Sequence, residues 1–202
     1  MKTLKFVITI SLSAATIAAC QNSKDKHWDS KSSADTLNTM KDSTADPTKM
    51  TTQTLVMKTT RVDAKFAVDV ADGGLAEVEL GKLAQEKATS QQIKEFGAMM
   101  VSDHSIINDK MKNIAKNKGI TLPKVMGDYR QKLKKELSDK SGKDFDRAYV
   151  TAMIKDHKED IKTFEVALKE LRDTDLRTFA SANLPILKKH LSSIEKINSE
   201  MK

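Results

Sequence analysis

The sequence contains few cysteine, proline, glycine and aromatic residues. Its 202 residues include one cysteine, three prolines and seven glycines, and aromatic residues make up only 4%. Because Cys20 is the only cysteine, disulfides, thiolate metal sites and a cysteine nucleophile are excluded from the chain beyond it. The remaining composition, rich in Ala, Lys, Leu, Glu and Met, is typical of a helical protein.

The chain also lacks a long block of charge of one sign. Its formal net charge is +7, but acidic and basic residues alternate along most of its length. Proteins that bind nucleic acid usually present a basic stripe interleaved with aromatic residues. The sequence has no such stripe and therefore predicts no nucleic-acid partner.

The first residues have the features of a targeting segment. Lys2 and Lys5 form a basic start, residues 6–17 are an apolar run too short to span a bilayer, and small residues precede Cys20. The sequence Ile17-Ala18-Ala19-Cys20 resembles a bacterial lipobox, which implies a lipoprotein signal peptide over 1–19 and an acylated Cys20. The alternative is an ordinary signal peptide with a chance cysteine. Under the first reading, the lipid anchors the protein in the cell envelope, periplasmic or surface-exposed.

Beyond the cysteine, composition divides the chain into a tether and one domain. Residues 20–58 are mostly Ser, Thr, Asp, Lys and Asn without a helical period, which predicts a disordered tether. Residues 59–202 show apolar positions at steps of three and four, which is typical of amphipathic helices. Helices are predicted at 61–87, from Ser90 to 118, at about 144–172 and from 174 onward.

This pattern predicts an all-α fold, an antiparallel four-helix bundle with a short extra helix, ending near 137, in the connection between the second and third helices. Equal counts from the first turn place Gly81 opposite Gly97 and Gly74 opposite His104. Pro185 predicts either a kink in the fourth helix or a restart at that point.

A repeated motif identifies the candidate site. Met100 lies four residues before His104, and Met153 lies four residues before His157, so thioether and imidazole share a helix face in both copies. The number of residues from the turns places four side chains at the same level of the bundle, one on each helix: Glu77, His104, His157 and His190. Glu79 lies on the neighbouring face and could replace Glu77.

Such a cluster has two stable forms. In one form, neutral histidines are hydrogen-bonded within a purely structural polar core. In the other, Glu77, His104, His157 and His190 bind a transition metal ion, zinc, copper or iron. Asp103 and Asp156 would then orient the imidazoles, and inward-facing sulfurs of Met100 and Met153 would favour copper. No catalytic residue is predicted.

Several motifs together resemble the bacterial domain-of-unknown-function 4142 family. They are the run from Gly73 to Ala84, Met100-Val101-Ser102-Asp103-His104, the run from Gly142 to Val150, Asp156-His157, and Leu184-Pro185 through His190. The resemblance implies a ferritin-like helical bundle exported to the envelope, often as a lipoprotein, and implies no established activity. The Glu-x-x-His pairs of di-iron bundles are absent, because Val101, Ile154 and Leu187 precede the histidines by three residues.

The sequence therefore favours a lipid-anchored envelope protein with a non-catalytic binding or stress-related role. Its predicted partners are the membrane, through the lipid, and another envelope protein. The alternative function is a mononuclear metal-binding protein.

The lipid anchor gives a direct prediction. Replacing Cys20→Ser removes the thiol that would be acylated, so the protein should move from the membrane fraction to the soluble fraction. Cell fractionation and immunoblotting measure this, with Ser23→Ala as the matched control that stays in the membrane. A Cys20→Ser protein that remains fully membrane-bound would exclude the anchor.

Overall fold

The structure, a computed structural model, describes residues 29–43 and 59–201 and has six helices and no strand within these ranges. The prediction of an all-α protein is confirmed. None of the helices in the described ranges combines the length and apolarity needed to cross a membrane. The predicted signal peptide, Cys20 and the tether residues 21–28 and 44–58 lie outside the described residues. The helices are α1 (Ser30–Ser43), α2 (Arg61–Lys87), α3 (Gln91–Lys118), α4 (Asp128–Ser138), α5 (Gly142–Glu170) and α6 (Thr174–Glu200).

The helix ends follow local signals in the sequence. Helix α3 begins after Ser90 and ends at Gly119, whose φ of 66° is the left-handed conformation that glycine adopts readily. Helix α4 is the short helix predicted between the halves. Helix α6 continues through Pro185, so the chain does not restart there.

Two buried aspartates hold the turns at the two ends of the structure. Asp63 forms a capping box with Thr60 and also accepts hydrogen bonds from the backbone N–H groups of Arg172 and Asp173, at 3.1 and 3.2 Å. At the other end, Asp146 accepts from the N–H groups of Thr89 and Ser90, both at 3.0 Å. Each carboxylate thus satisfies backbone donors that a helix end leaves unpaired.

These contacts determine the direction of the four long helices. Asp63 joins the start of α2 to the α5–α6 turn, and Lys118 at the end of α3 pairs with Asp173 in the same turn at 2.6 Å. Asp146 joins the start of α5 to the α2–α3 turn. Helices α2 and α6 therefore run in one direction and α3 and α5 in the other, forming a helical bundle. The α3–α5 connection, which contains α4, crosses the length of the bundle.

Helices α2 and α3 approach closely at a pair of glycines. A Cβ on Gly81 would lie 2.6 Å from the carbonyl oxygen of Gly97, and the reverse distance is also 2.6 Å. The prediction that these two glycines face one another is confirmed. The prediction for Gly74 is wrong by one turn, because Asn108, and not His104, lies against it. The prediction paired residues at equal distances from the turn, which assumes that the two helix axes are parallel. Packed helices instead cross at an angle, so the register of facing residues shifts along them.

Helix α1 corrects the predicted disordered tether over residues 30–43. Asp29 caps it, accepting from the N–H groups of Lys31 and Ser32 at 2.8 and 3.0 Å. Ala34 is 2% exposed, and Asn38 makes two hydrogen bonds with the backbone of Thr121. No periodic signal marks this helix in the sequence, because α1 is held mainly by polar contacts with distant residues.

The glycine pair generates a stability prediction. A Gly81→Val side chain would meet the backbone of Gly97, so the helices must separate, and we expect the free energy of unfolding to fall by about 2 kcal/mol or more. The neighbouring Lys82→Ala, at an exposed position, is the control and should change it by less than about 0.5 kcal/mol. Urea denaturation measures both, and equal stability of the two variants would contradict the close approach.

Candidate metal centre

A buried polar layer separates two apolar clusters in the core. One cluster contains Phe66, Phe164 and Phe179, and the other contains Phe145 and Tyr149. Between them, each long helix contributes one polar side chain that is at most 2% exposed: Glu77 from α2, His104 from α3, His157 from α5 and His190 from α6. The structure thus brings together all four residues that were predicted by counting residues from the turns.

Each imidazole is held through one ring nitrogen. His104 Nδ1 lies 2.6 Å from Glu77 Oε2, and His190 Nε2 lies 2.9 Å from Asp103 Oδ2. His157 Nδ1 lies 2.9 Å from the carbonyl oxygen of Met153. A carbonyl or a carboxylate oxygen only accepts, so in each neutral ring the held nitrogen carries the proton and donates it.

The second ring nitrogen of each histidine lacks the kind of contact that holds the first. His104 Nε2, His157 Nε2 and His190 Nδ1 are buried and have no hydrogen-bond partner among the described residues. The three residues offer nitrogens that all lie within 4.8 Å of one another. In each neutral ring the opposite nitrogen carries the proton, so the unpartnered nitrogen has a free lone pair.

Glu77 controls the charge of this volume. Burial raises the pKa of its carboxyl, but the neighbouring His104 and His157 outweigh burial and lower the pKa to about 2. Burial lowers the pKa of His104, yet the Glu77 carboxylate raises it above its usual value. Burial lowers the pKa of His190 to about 4, so this ring is neutral at pH 7.

A second set of charges, which sequence reasoning missed, lies beside Glu77. Arg130 on α4 donates to Asp72 Oδ2 at 3.0 Å and to Asp156 Oδ1 at 2.6 Å. Burial, together with Glu77 and Asp156, raises the pKa of Asp160 well above its usual value. The signal available in the sequence was the four-residue spacing of Asp156 and Asp160, which places both on one face of α5.

The structure redistributes the predicted supporting roles. Asp103 holds His190 on another helix rather than its neighbour His104. Asp156 pairs with Arg130 and makes no hydrogen bond to a histidine.

The methionines lie beside the polar layer, whereas Glu79 does not take the place of Glu77. Met100 and Met153 are fully buried in the apolar cluster with Tyr149, and Met153 contributes its backbone carbonyl to the site. Glu79 lies outside the cluster, where it pairs with Lys82 and Lys134.

Comparison with known proteins gives one match. The model of the family described as "Domain of unknown function (DUF4142)" matches residues 47–197. No curated protein and no solved structure matches the chain significantly. The matched segment contains every residue of the polar layer.

The Arg130 network generates a prediction for stability. Arg130→Gln leaves buried carboxylates without their cation, and we expect the free energy of unfolding at pH 8 to fall by about 3 kcal/mol or more. The control Arg147→Gln removes an exposed pair with Asp144 and should cost under about 1 kcal/mol.

The loss should depend on pH in a defined direction. The pKa of Asp156 and of Asp160 is raised in the folded protein, and removing Arg130 raises both further. Such groups stabilise the fold below their unfolded pKa and lose that contribution as pH rises through the folded pKa. The deficit of Arg130→Gln should therefore be smaller at pH 4.5 than at pH 8. A deficit that is equal at both pH values would contradict this assignment.

Proposed function

The chain belongs to the DUF4142 family, and we propose that it binds one transition metal ion through His104, His157 and His190. The observation that carries the proposal is the group of three buried histidines, each with one unpartnered ring nitrogen, that offer ligand atoms within 4.8 Å of one another. Burying three such acceptors without a partner is costly, and a shared ligand removes that cost. In each ring the opposite nitrogen is held by an oxygen, which is the usual support of a metal-bound histidine.

Glu77 fits the fourth position of this site. Its Oε1 has no hydrogen-bond partner among the described residues and lies 3.7 Å from His157 Nε2. With metal bonds of about 2.1 Å, two ligand atoms of a tetrahedral site lie about 3.4 Å apart. The glutamate can therefore reach the ion with a small movement, while the rings must close by up to about 1.4 Å. Imidazole and carboxylate ligands suit zinc, copper and iron.

The alternative is a non-catalytic binding protein whose polar layer is structural. The observation that favours it is the contact between His104 and Glu77, in which a proton on the imidazole neutralises the carboxylate without a metal. A binding or stress-related role at the envelope would then depend on another surface of the bundle and on an envelope protein as partner. In neither case do we assign a catalytic residue.

The cellular setting is part of the proposal. We propose that the bundle is ferritin-like, supported by the single long connection that crosses it between α3 and α5. We also propose that Cys20 carries a lipid that anchors the protein in the bacterial cell envelope, supported by the lipobox-like sequence that ends at this residue.

Metal analysis tests the central claim. Full-length protein purified without an affinity tag, stripped with a chelator and reloaded with Zn²⁺, should retain about one ion per chain. At a free zinc concentration of 100 times the dissociation constant, stability should increase by about 2.7 kcal/mol. His104→Gln and His157→Ala should each weaken zinc binding at least about 10-fold.

The chain offers a matched control in its fourth histidine. His27 lies outside the described residues, and His27→Ala should leave both stoichiometry and affinity unchanged. If the wild type retains no zinc, copper or iron and no such ion raises its melting temperature, the polar layer is structural and the metal proposal fails.

A further inference from the structure

A second group of ligand-type atoms lies beside the histidines. Glu77, Asp156 and Asp160 each offer one carboxylate oxygen, and these oxygens all lie within 4.8 Å of one another. Glu77 is 1% exposed and Asp156 is 6% exposed, whereas Asp160 is partly buried. Three carboxylates at this separation repel one another, and either a proton on Asp160, whose pKa is raised, or a cation between them relieves the repulsion.

Two oxygens of this group lack a donor. Glu77 Oε1 and Asp156 Oδ2 are buried and have no hydrogen-bond partner among the described residues. A buried carboxylate oxygen without a partner costs more than a neutral group does, because the charge is concentrated on it. Two such oxygens in one cluster indicate a cation that approaches both.

Arg130 and a proton on His104 together supply less positive charge than the neighbouring carboxylates carry when ionised. Arg130 donates to Asp72 and to the other oxygen of Asp156, so its single charge faces four acidic side chains, those of Asp72, Glu77, Asp156 and Asp160. The guanidinium donates to Asp156 Oδ1 and leaves Oδ2 unpaired. Charge and geometry therefore favour a further cation at the same carboxylates.

A cavity gives this group a route to solvent. Its volume is about 230 Å³, and Asp160 and Arg130 line it together with Asp69 and Asp72. Lys31 of α1 also lines the cavity and pairs with Asp69 at 2.6 Å, so an ammonium group already occupies this acidic passage. A hydrated cation could follow the carboxylates inward to Asp160.

We propose that Glu77, Asp156 and Asp160 bind a hard divalent cation of the Mg²⁺, Mn²⁺ or Ca²⁺ class, with water completing its coordination. Oxygen ligands alone select these ions rather than the softer ions that imidazole prefers. The cavity beside Asp160 has room for the waters that such ions retain. Glu77 is shared with the histidine site, but the carboxylate site does not require that site to be filled.

Mn²⁺ is the probe for this site, because its free ion is quantified by electron paramagnetic resonance. Full-length wild type saturated with Zn²⁺ should bind one further equivalent of Mn²⁺, which Mg²⁺ or Ca²⁺ in excess displaces. Asp160→Asn keeps the shape and removes the charge, and it should weaken Mn²⁺ binding at least about 10-fold. Asp109→Asn, which removes an exposed carboxylate on α3, is the matched control and should bind as the wild type does.

The carboxylate site and the histidine site can be tested separately. The His157→Ala variant should lose zinc binding and retain Mn²⁺ binding. If the wild type binds Mn²⁺ but no zinc, this inference is supported and the histidine proposal is wrong. No Mn²⁺ bound at millimolar concentration would overturn the inference. So would an Asp160→Asn variant that is folded by circular dichroism and binds Mn²⁺ with unchanged affinity. Mn²⁺ lost in His157→Ala but kept in Asp160→Asn would place the ion at the histidines and overturn it as well.

Discussion

The structure depends on keeping one carboxylate, that of Glu77, ionised in the centre of a helical bundle. Its burial alone would drive it toward the neutral form, and the partners that prevent this come from three other helices. His104 contacts it directly, His157 lies 3.7 Å away, and Arg130 adds its charge from α4. Displacing any of these helices would weaken the compensation of the buried charge, so the layer favours one arrangement of the bundle.

The level of this layer is set by features at a distance from it. Close approach at Gly81 and Gly97 fixes α2 against α3, and this register places His104 beside Glu77. Asp63 and Asp146 fix the α2–α3 pair against the α5–α6 pair at the two ends of the bundle. The apolar clusters above and below then exclude water from the layer, which strengthens each charge interaction within it.

The sequence was sufficient for features that depend on periodicity and counting. The four long helices, Gly119 as a helix end and the shared level of Glu77 with the three histidines all follow from steps of three and four residues. Contacts that arise only after folding could not be predicted in this way. Arg130 reaches the core because α4 crosses the bundle, Asp103 supports a histidine 87 residues away, and α1 is held by polar bonds to residues such as Thr121. None of these contacts can be recognised from the spacing of apolar residues in the sequence.

The polar layer has a geometry that a proton satisfies only in part. The proton between His104 Nδ1 and Glu77 leaves His104 Nε2, His157 Nε2 and His190 Nδ1 without a hydrogen-bond partner among the described residues. One ion at the centre of the three rings would engage all three lone pairs and face the free oxygen of Glu77. An entirely structural layer would gain from replacing at least one of these residues with an apolar side chain of similar size. The proposed shared ligand would therefore satisfy three buried nitrogens that a purely structural layer leaves without a partner among the described residues.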